Sequence, residues 1–158
     1  MPKIAIPPFT RKHVVHPITG EDLGEYSNAN LGDAAGLTQY GAHLEILHPG
    51  GKSSMRHWHE SEDELVYVVS GELTLVEDTG ATPLRAGEAA AWKAGVANGH
   101  RLENRGTADA TYLVVGTRAA HDRAHYVDHD LIVTFDGPRR TYARRNGTII
   151  AERGPEQS

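Results

Sequence analysis

The chain predicts an all-β fold, a sandwich or a closed barrel, on three observations. Its apolar residues fall in short β-prone runs of four to eight residues. Seventeen glycines and eight prolines among 158 residues punctuate those runs with turn signals. No stretch sustains the 3.6-residue apolar period of a long helix.

The opening segment, to about residue 36, scatters Pro, Gly, Asn and Asp with little periodicity and reads as an arm. The run Tyr40–Leu47 then predicts a strand, stopped by His48-Pro-Gly-Gly51. Leu65–Val69 is rich in β-branched residues and ends at Ser70-Gly71. Glu72–Val76 alternates polar and apolar residues, as a half-buried strand does, and Asp78-Thr-Gly80 predicts a hairpin turn. Further strands are expected at Ala89–Trp92, Gly99–Glu103 and Thr111–Gly116. A short helix is expected around residues 119–126. Leu131–Phe135 and Thr141–Arg144 predict a hairpin across Asp136-Gly-Pro, and Asn146-Gly147 a further tight turn. Arg153–Ser158 read as a frayed end.

Composition removes whole classes of function. The length suits one domain. Hydrophobic residues at 39% and charged residues at 23% supply a core and a solvated surface. No apolar run reaches the roughly 20 residues of a membrane-spanning helix. The start, Met1-Pro-Lys-Ile-Ala-Ile-Pro-Pro, is too short in apolar residues for a signal peptide, so a cytoplasmic protein is expected. A formal net charge of −5 argues against a nucleic-acid partner. With no cysteine, thiolate nucleophiles, disulfides and Cys-type metal sites drop out together. Ten histidines remain, so a transition metal here must be held by imidazole and carboxylate.

The informative stretch runs from Gly51 to Gly71. His57 and His59 are two apart, and on a strand residues i and i+2 share a face. Taken alone, this pair also fits a surface His-Trp-His loop flanked by acids. The spacing around it adds more. Gly51 is followed by five residues and His57; His59 by four residues and Glu64; Glu64 by six residues and Gly71. This resembles the first motif of the cupin superfamily, with every fixed position filled. The second motif is similar to Gly87, Lys93-Ala-Gly95, His100 and Asn104. Here Lys93 stands in the usual proline position, and four residues rather than two separate Gly95 from His100. Asn98 occupies the usual spacing, and it shares parity with His100. Imidazole is the better ligand for a borderline metal, and Asn104 keeps motif spacing from His100, so His100 is preferred.

The resemblance, to a small single-domain cupin, implies a double-stranded β-helix, the jelly-roll barrel, over residues 38–118. It leaves an N-terminal arm, 1–37, packed on the barrel and a C-terminal β-hairpin extension, 119–158. It implies one divalent metal per chain (zinc, iron, manganese or nickel; copper also fits) held by His57, His59, Glu64 and His100. The function it implies is a metal-dependent oxygenase, isomerase or lyase acting on a small molecule, the alternative being a non-catalytic ligand-binding or sensing cupin. A homodimer is expected, because sheet edges and the arm need cover.

Other residues carry plainer expectations. Glu60, Glu62 and Asp63 read as a solvated turn, and Trp58 and Arg56 as facing away from the metal. Tyr67 and Trp92 read as packing. His43 shares parity with Glu45 and Leu47 but is expected to be exposed or satisfied. The Asn146-Gly-Thr148 sequon reads first as a turn.

Overall fold

The computed structural model describes residues 3–154. β1 (Thr10–Val15) and β2 (Asp22–Asn30) lead through a one-turn helix, α1 (Leu31–Ala34), to β3 (Tyr40–Leu47). Next come β4 (His57–His59), β5 (Glu64–Ser70), β6 (Glu72–Glu77), β7 (Gly80–Arg85), β8 (Ala89–Trp92), β9 (Arg101–Glu103) and β10 (Ala110–Thr117). The chain closes with β11 (His121–Tyr126), β12 (Leu131–Asp136), β13 (Arg139–Ala143) and β14 (Ile149–Arg153). No helix among the described residues is long and apolar enough to cross a membrane.

Three antiparallel sheets build a jelly-roll barrel. One has the order β1-β2-β3-β10-β5-β8, a second β14-β13-β12-β11-β4, and the third β7-β6-β9. Leu47, Val66, Val68, Leu73, Leu75, Leu84, Leu102 and Tyr112 fill the space between the first and third sheets. A second cluster around Leu23, Met55, Leu131, Val133 and Tyr142 packs the strand β2 against the five-stranded sheet. The strands predicted from alternation fall where expected, because one face of each is buried. On β5, for instance, Val66 and Val68 are buried while Leu65, Tyr67 and Val69 are exposed.

Two expectations are corrected. Residues 119–126 hold no helix; His121–Tyr126 is a strand, paired with β12 on one side and β4 on the other. Its buried positions, Asp122 and Ala124, alternate with exposed His121 and Arg123, so period-2 burial and two ladders of hydrogen bonds override weak local preference. The opening segment is not aperiodic coil: β1 pairs with β2 and β2 with β3, extending the large sheet. Its inward positions are small or polar, Ser27 and Ala29 among them, which hid the alternation. β7 was also unannounced; it carries Pro83, which an edge strand accommodates. Arg153 ends β14, while 155–158 of the expected frayed end lie outside the described residues.

The glycines framing the first motif have distinct reasons. Gly71 turns β5 into β6 with φ +80, a conformation L side chains rarely adopt. Gly51 is required by contact instead: a Cβ there would lie 2.7 Å from the Glu25 carbonyl oxygen and 2.9 Å from that of His48. Both are backbone atoms and cannot swing aside. Gly51→Ala is therefore expected to lower unfolding free energy by about 2 kcal/mol or more in urea denaturation.

Candidate metal centre

The centre lies at the seam between the five-stranded and three-stranded sheets. β4 holds His57 and His59, with β11 on its one strand edge. Across its other edge a lone bridge joins His57 to His100, each backbone N–H donating to the other's carbonyl, at 3.3 and 3.1 Å. Glu64 opens β5 on the large sheet. Three segments thus bring four side chains to one place.

His57, His59 and Glu64 each present a ligand atom, and these atoms lie within 4.8 Å of one another. His100 joins them: its Nε2 is 3.7 Å from a Glu64 carboxylate oxygen. The tautomers follow from the other ring nitrogens. His57 Nδ1–H donates to the Met55 carbonyl at 2.9 Å, and His100 Nδ1–H to the Asn98 carbonyl at 3.1 Å. His59 Nδ1–H donates to Asp122 at 2.5 Å. Carbonyls and carboxylates only accept, so each neutral ring turns an Nε2 lone pair to the centre. The His57 and His59 Nε2 atoms stand 3.1 Å apart, two acceptors facing each other. His100 Nε2 is buried with no hydrogen-bond partner. Facing lone pairs and an orphaned buried acceptor are unfavourable without a cation among them, and imidazole nitrogen with carboxylate suits a borderline divalent ion. The residues fit the metal that the motif implies.

Asn98, the rival of His100, points elsewhere. Its amide donates to Glu77 at 2.8 Å and its oxygen accepts from the Asp78 N–H. Trp92, expected in the core or at its rim, stacks on the His100 ring at 3.8 Å and donates to Glu77, fixing the imidazole plane. Trp58 stacks on His125 away from the centre, and Arg56 pairs with Asp78 and Asp128 at the surface. Glu60 pairs with His125 and Arg123, as a solvated turn residue. Glu62 is half-buried, however, grouped with His59 and Asp122. Tyr67 is 42% exposed and packs little.

Burial pushes the His57 imidazole down to about 4, with neighbouring His59 adding to the effect. Burial alone would raise Glu64, but the neighbouring His100, His57 and His59 imidazoles hold it below the usual carboxylate range. Without metal, folded His57 then binds its proton near pH 4 and unfolded His57 near 6.5. Between those values the unfolded chain holds more protons, so stability falls as pH falls. Metal-free protein is expected to lose about 2 kcal/mol between pH 7 and 4.5 in urea titrations.

A cavity of about 160 Å³ opens beside the centre, lined by His57, Glu64, His100 and apolar Val66, Leu102 and Val114. Glu45 and Tyr112 also line it. A second cavity, about 190 Å³, lies on the other side of Glu64 and Val114 and holds His43, His59, Glu62 and Arg118. His43 is satisfied there, its Nδ1 2.9 Å from the Asn30 side-chain oxygen. Sequence reasoning missed Asp122, Glu45 and Tyr112; the parity of Glu45 with Leu47 was the one local signal available.

Known proteins resemble this chain in sequence and fold. The Cupin domain family matches residues 43–116. A sugar phosphate isomerase of the cupin superfamily from Silicibacter pomeroyi shares 41% identity, with 95% of this chain and 97% of that one aligned at TM-score 0.87. A suggested sugar phosphate isomerase from Acidithiobacillus ferrooxidans shares 28% identity over 80% of this chain and 81% of that one, at TM-score 0.75. A predicted oxalate decarboxylase from Thermotoga maritima, 24% identical over 74% of this chain and 99% of that one, at TM-score 0.59, shares the fold. No curated protein matches. The chain belongs to the cupin superfamily.

Proposed function

We propose that this cupin is a metal-dependent isomerase of a small hydroxy-carbonyl compound, a sugar phosphate. The observation that carries a metal is the convergence of three oriented Nε2 atoms and Glu64, with His100 Nε2 buried and unpartnered. The substrate class is drawn from the Silicibacter pomeroyi protein, which is similar over nearly its whole length. One divalent ion per chain would be held by His57, His59, Glu64 and His100. Such an ion supplies positive charge that polarises a carbonyl oxygen and acidifies a neighbouring hydroxyl. The protein's own part is to orient the imidazoles through Met55, Asn98 and Asp122, and to exclude water with Val66, Leu102 and Val114.

The test is direct. Protein loaded in turn with manganese, ferrous iron, nickel and zinc is mixed with aldose and ketose phosphates, and interconversion is followed by NMR. Turnover in a metal-loaded sample and none in the stripped protein is expected. Metal and sugar phosphate binding without turnover would make this a non-catalytic ligand-binding cupin instead. Protons compete with metal for imidazole, so calorimetric metal affinity is expected to fall from pH 8 to 5. A flat profile would count against imidazole ligation.

The homodimer belongs to the same reading. Leu65, Tyr67 and Val69 lie exposed on the outer face of the large sheet, beside Tyr40. Light scattering returning the mass of a single chain would overturn it.

A further inference from the structure

We propose that Glu45 is the catalytic base of the cavity, moving a proton between adjacent carbons of the bound substrate, and that Tyr112 positions it. This rests on the isomerase reading above. Glu45 on β3 stands directly opposite Tyr112 on β10. The buried Tyr112 hydroxyl donates to Glu45 Oε2 at 2.6 Å. Among the described residues Glu45 makes no other side-chain hydrogen bond, so its Oε1 is left free in a carboxylate whose other oxygen is anchored. Both residues line the 160 Å³ cavity that also holds His57, Glu64 and His100. A proton acceptor and the metal ligands therefore face one small volume.

A purely structural role explains this poorly. β3 and β10 already pair along eight residues, from Tyr40 to Leu47, so the strands need no further tie. A carboxylate sunk against Val66 and Val114 is a burden on stability, and such groups concentrate where chemistry uses them. Burial raises the Glu45 carboxyl, the Tyr112 hydrogen bond opposing and the charge of Glu64 adding to the rise. A base shifted toward neutrality takes a carbon-bound proton more readily than an ordinary carboxylate. Around Glu45 stand Tyr26 on β2, Tyr112 on β10, Glu64 on β5, His43 on its own strand, and His57, His100 and Arg101 across the cavity.

The step balances without an outside reagent. Glu45 Oε1 takes the proton from the carbon beside the carbonyl; that C–H pair becomes the C=C bond of an enediolate, whose charge sits on the former carbonyl oxygen, and the hydroxyl on the deprotonated carbon passes its own proton to that oxygen. With that proton handed over, a carbonyl forms at the deprotonated carbon, the C=C pair takes up the proton that Glu45 returns, and that proton ends on the former carbonyl carbon. One carbon is oxidised and its neighbour reduced.

The experiment uses metal-loaded full-length protein and deuterium uptake from D₂O into ribose 5-phosphate, glucose 6-phosphate and mannose 6-phosphate, read by NMR. E45Q is expected to keep its metal content and its Tm, and to lose at least about 100-fold of the exchange rate. Tyr112→Phe removes the hydrogen bond that lowers the Glu45 carboxyl, so the acid limb of its kcat profile is expected at higher pH. Exchange surviving in E45Q, or a Tm drop of several degrees with exchange intact, overturns the assignment of Glu45 alone. An unmoved acid limb in Tyr112→Phe overturns the positioning role of Tyr112. Absence of exchange in the wild-type protein with every sugar phosphate overturns the isomerase reading and this inference with it.

Discussion

Replacing His100 with alanine is expected to weaken metal binding by more than about 100-fold, while Asn98→Ala leaves it unchanged. His100 sends its Nε2 into the cavity beside Glu64 and its Nδ1–H to the Asn98 carbonyl. What Asn98 gives His100 is thus its backbone oxygen, which alanine retains. The Asn98 side chain serves Glu77 and Asp78, outside the centre. His100→Ala also removes the ring stacked on Trp92, so its Tm is expected to fall by a few degrees without loss of the β signature in circular dichroism. Metal content by elemental analysis, set beside calorimetric affinity, reads the two variants apart. Metal lost from Asn98→Ala and kept by His100→Ala would reverse the ligand assignment.

Asp122→Asn is expected to weaken metal binding by 10- to 100-fold although Asp122 is not among the four proposed ligands. Its carboxylate is 2% exposed and accepts both from His59 Nδ1–H and from the Ser61 backbone N–H, at 2.8 Å. An amide can turn an oxygen to only one of these donors. The other then meets an NH₂ group, and a buried N–H is left without a partner. If the amide oxygen stays with Ser61, His59 is driven toward the tautomer that places its proton on Nε2, where the metal lone pair belongs. Calorimetry of metal binding with unchanged affinity would mean that Asp122 neither orients His59 nor fixes its proton.

The two variants also mark what the sequence disclosed. His57, His59 and Glu64 lie within eight residues, and glycines at fixed distances frame them, so local spacing was enough. His100 was preferred to Asn98 on ligand chemistry, and its ring is the one that comes within 3.7 Å of Glu64. Asp122 was not. It lies 63 residues from His59, on a strand whose alternation consists of Asp and Ala against His and Arg. Pairing of β11 with β4 brings it home, and that is a long-range event which no local window contains. Glu45 and Tyr112 were hidden similarly, as their hydrogen bond spans 67 residues. The barrel strands were readable where one face is greasy, as in β5 and β6, and obscure in β2 and β11, where small or polar residues turn inward.

The lone bridge between His57 and His100 has a consequence for how the molecule breathes. On that edge β4 is held by this reciprocal pair and by the Gly95 N–H donating to the His59 carbonyl, whereas β10 is paired with β3 over all eight of its residues and with β5 from Thr111 to Gly116. Thermal opening should therefore begin at this seam, with the amides of His57 and His100 exchanging with solvent ahead of those in β10. This thin seam crosses the place where the four polar side chains meet. An ion gripping both sides would act as a rivet there, and a small molecule entering the barrel would find its door beside that rivet rather than through the stiff wall opposite.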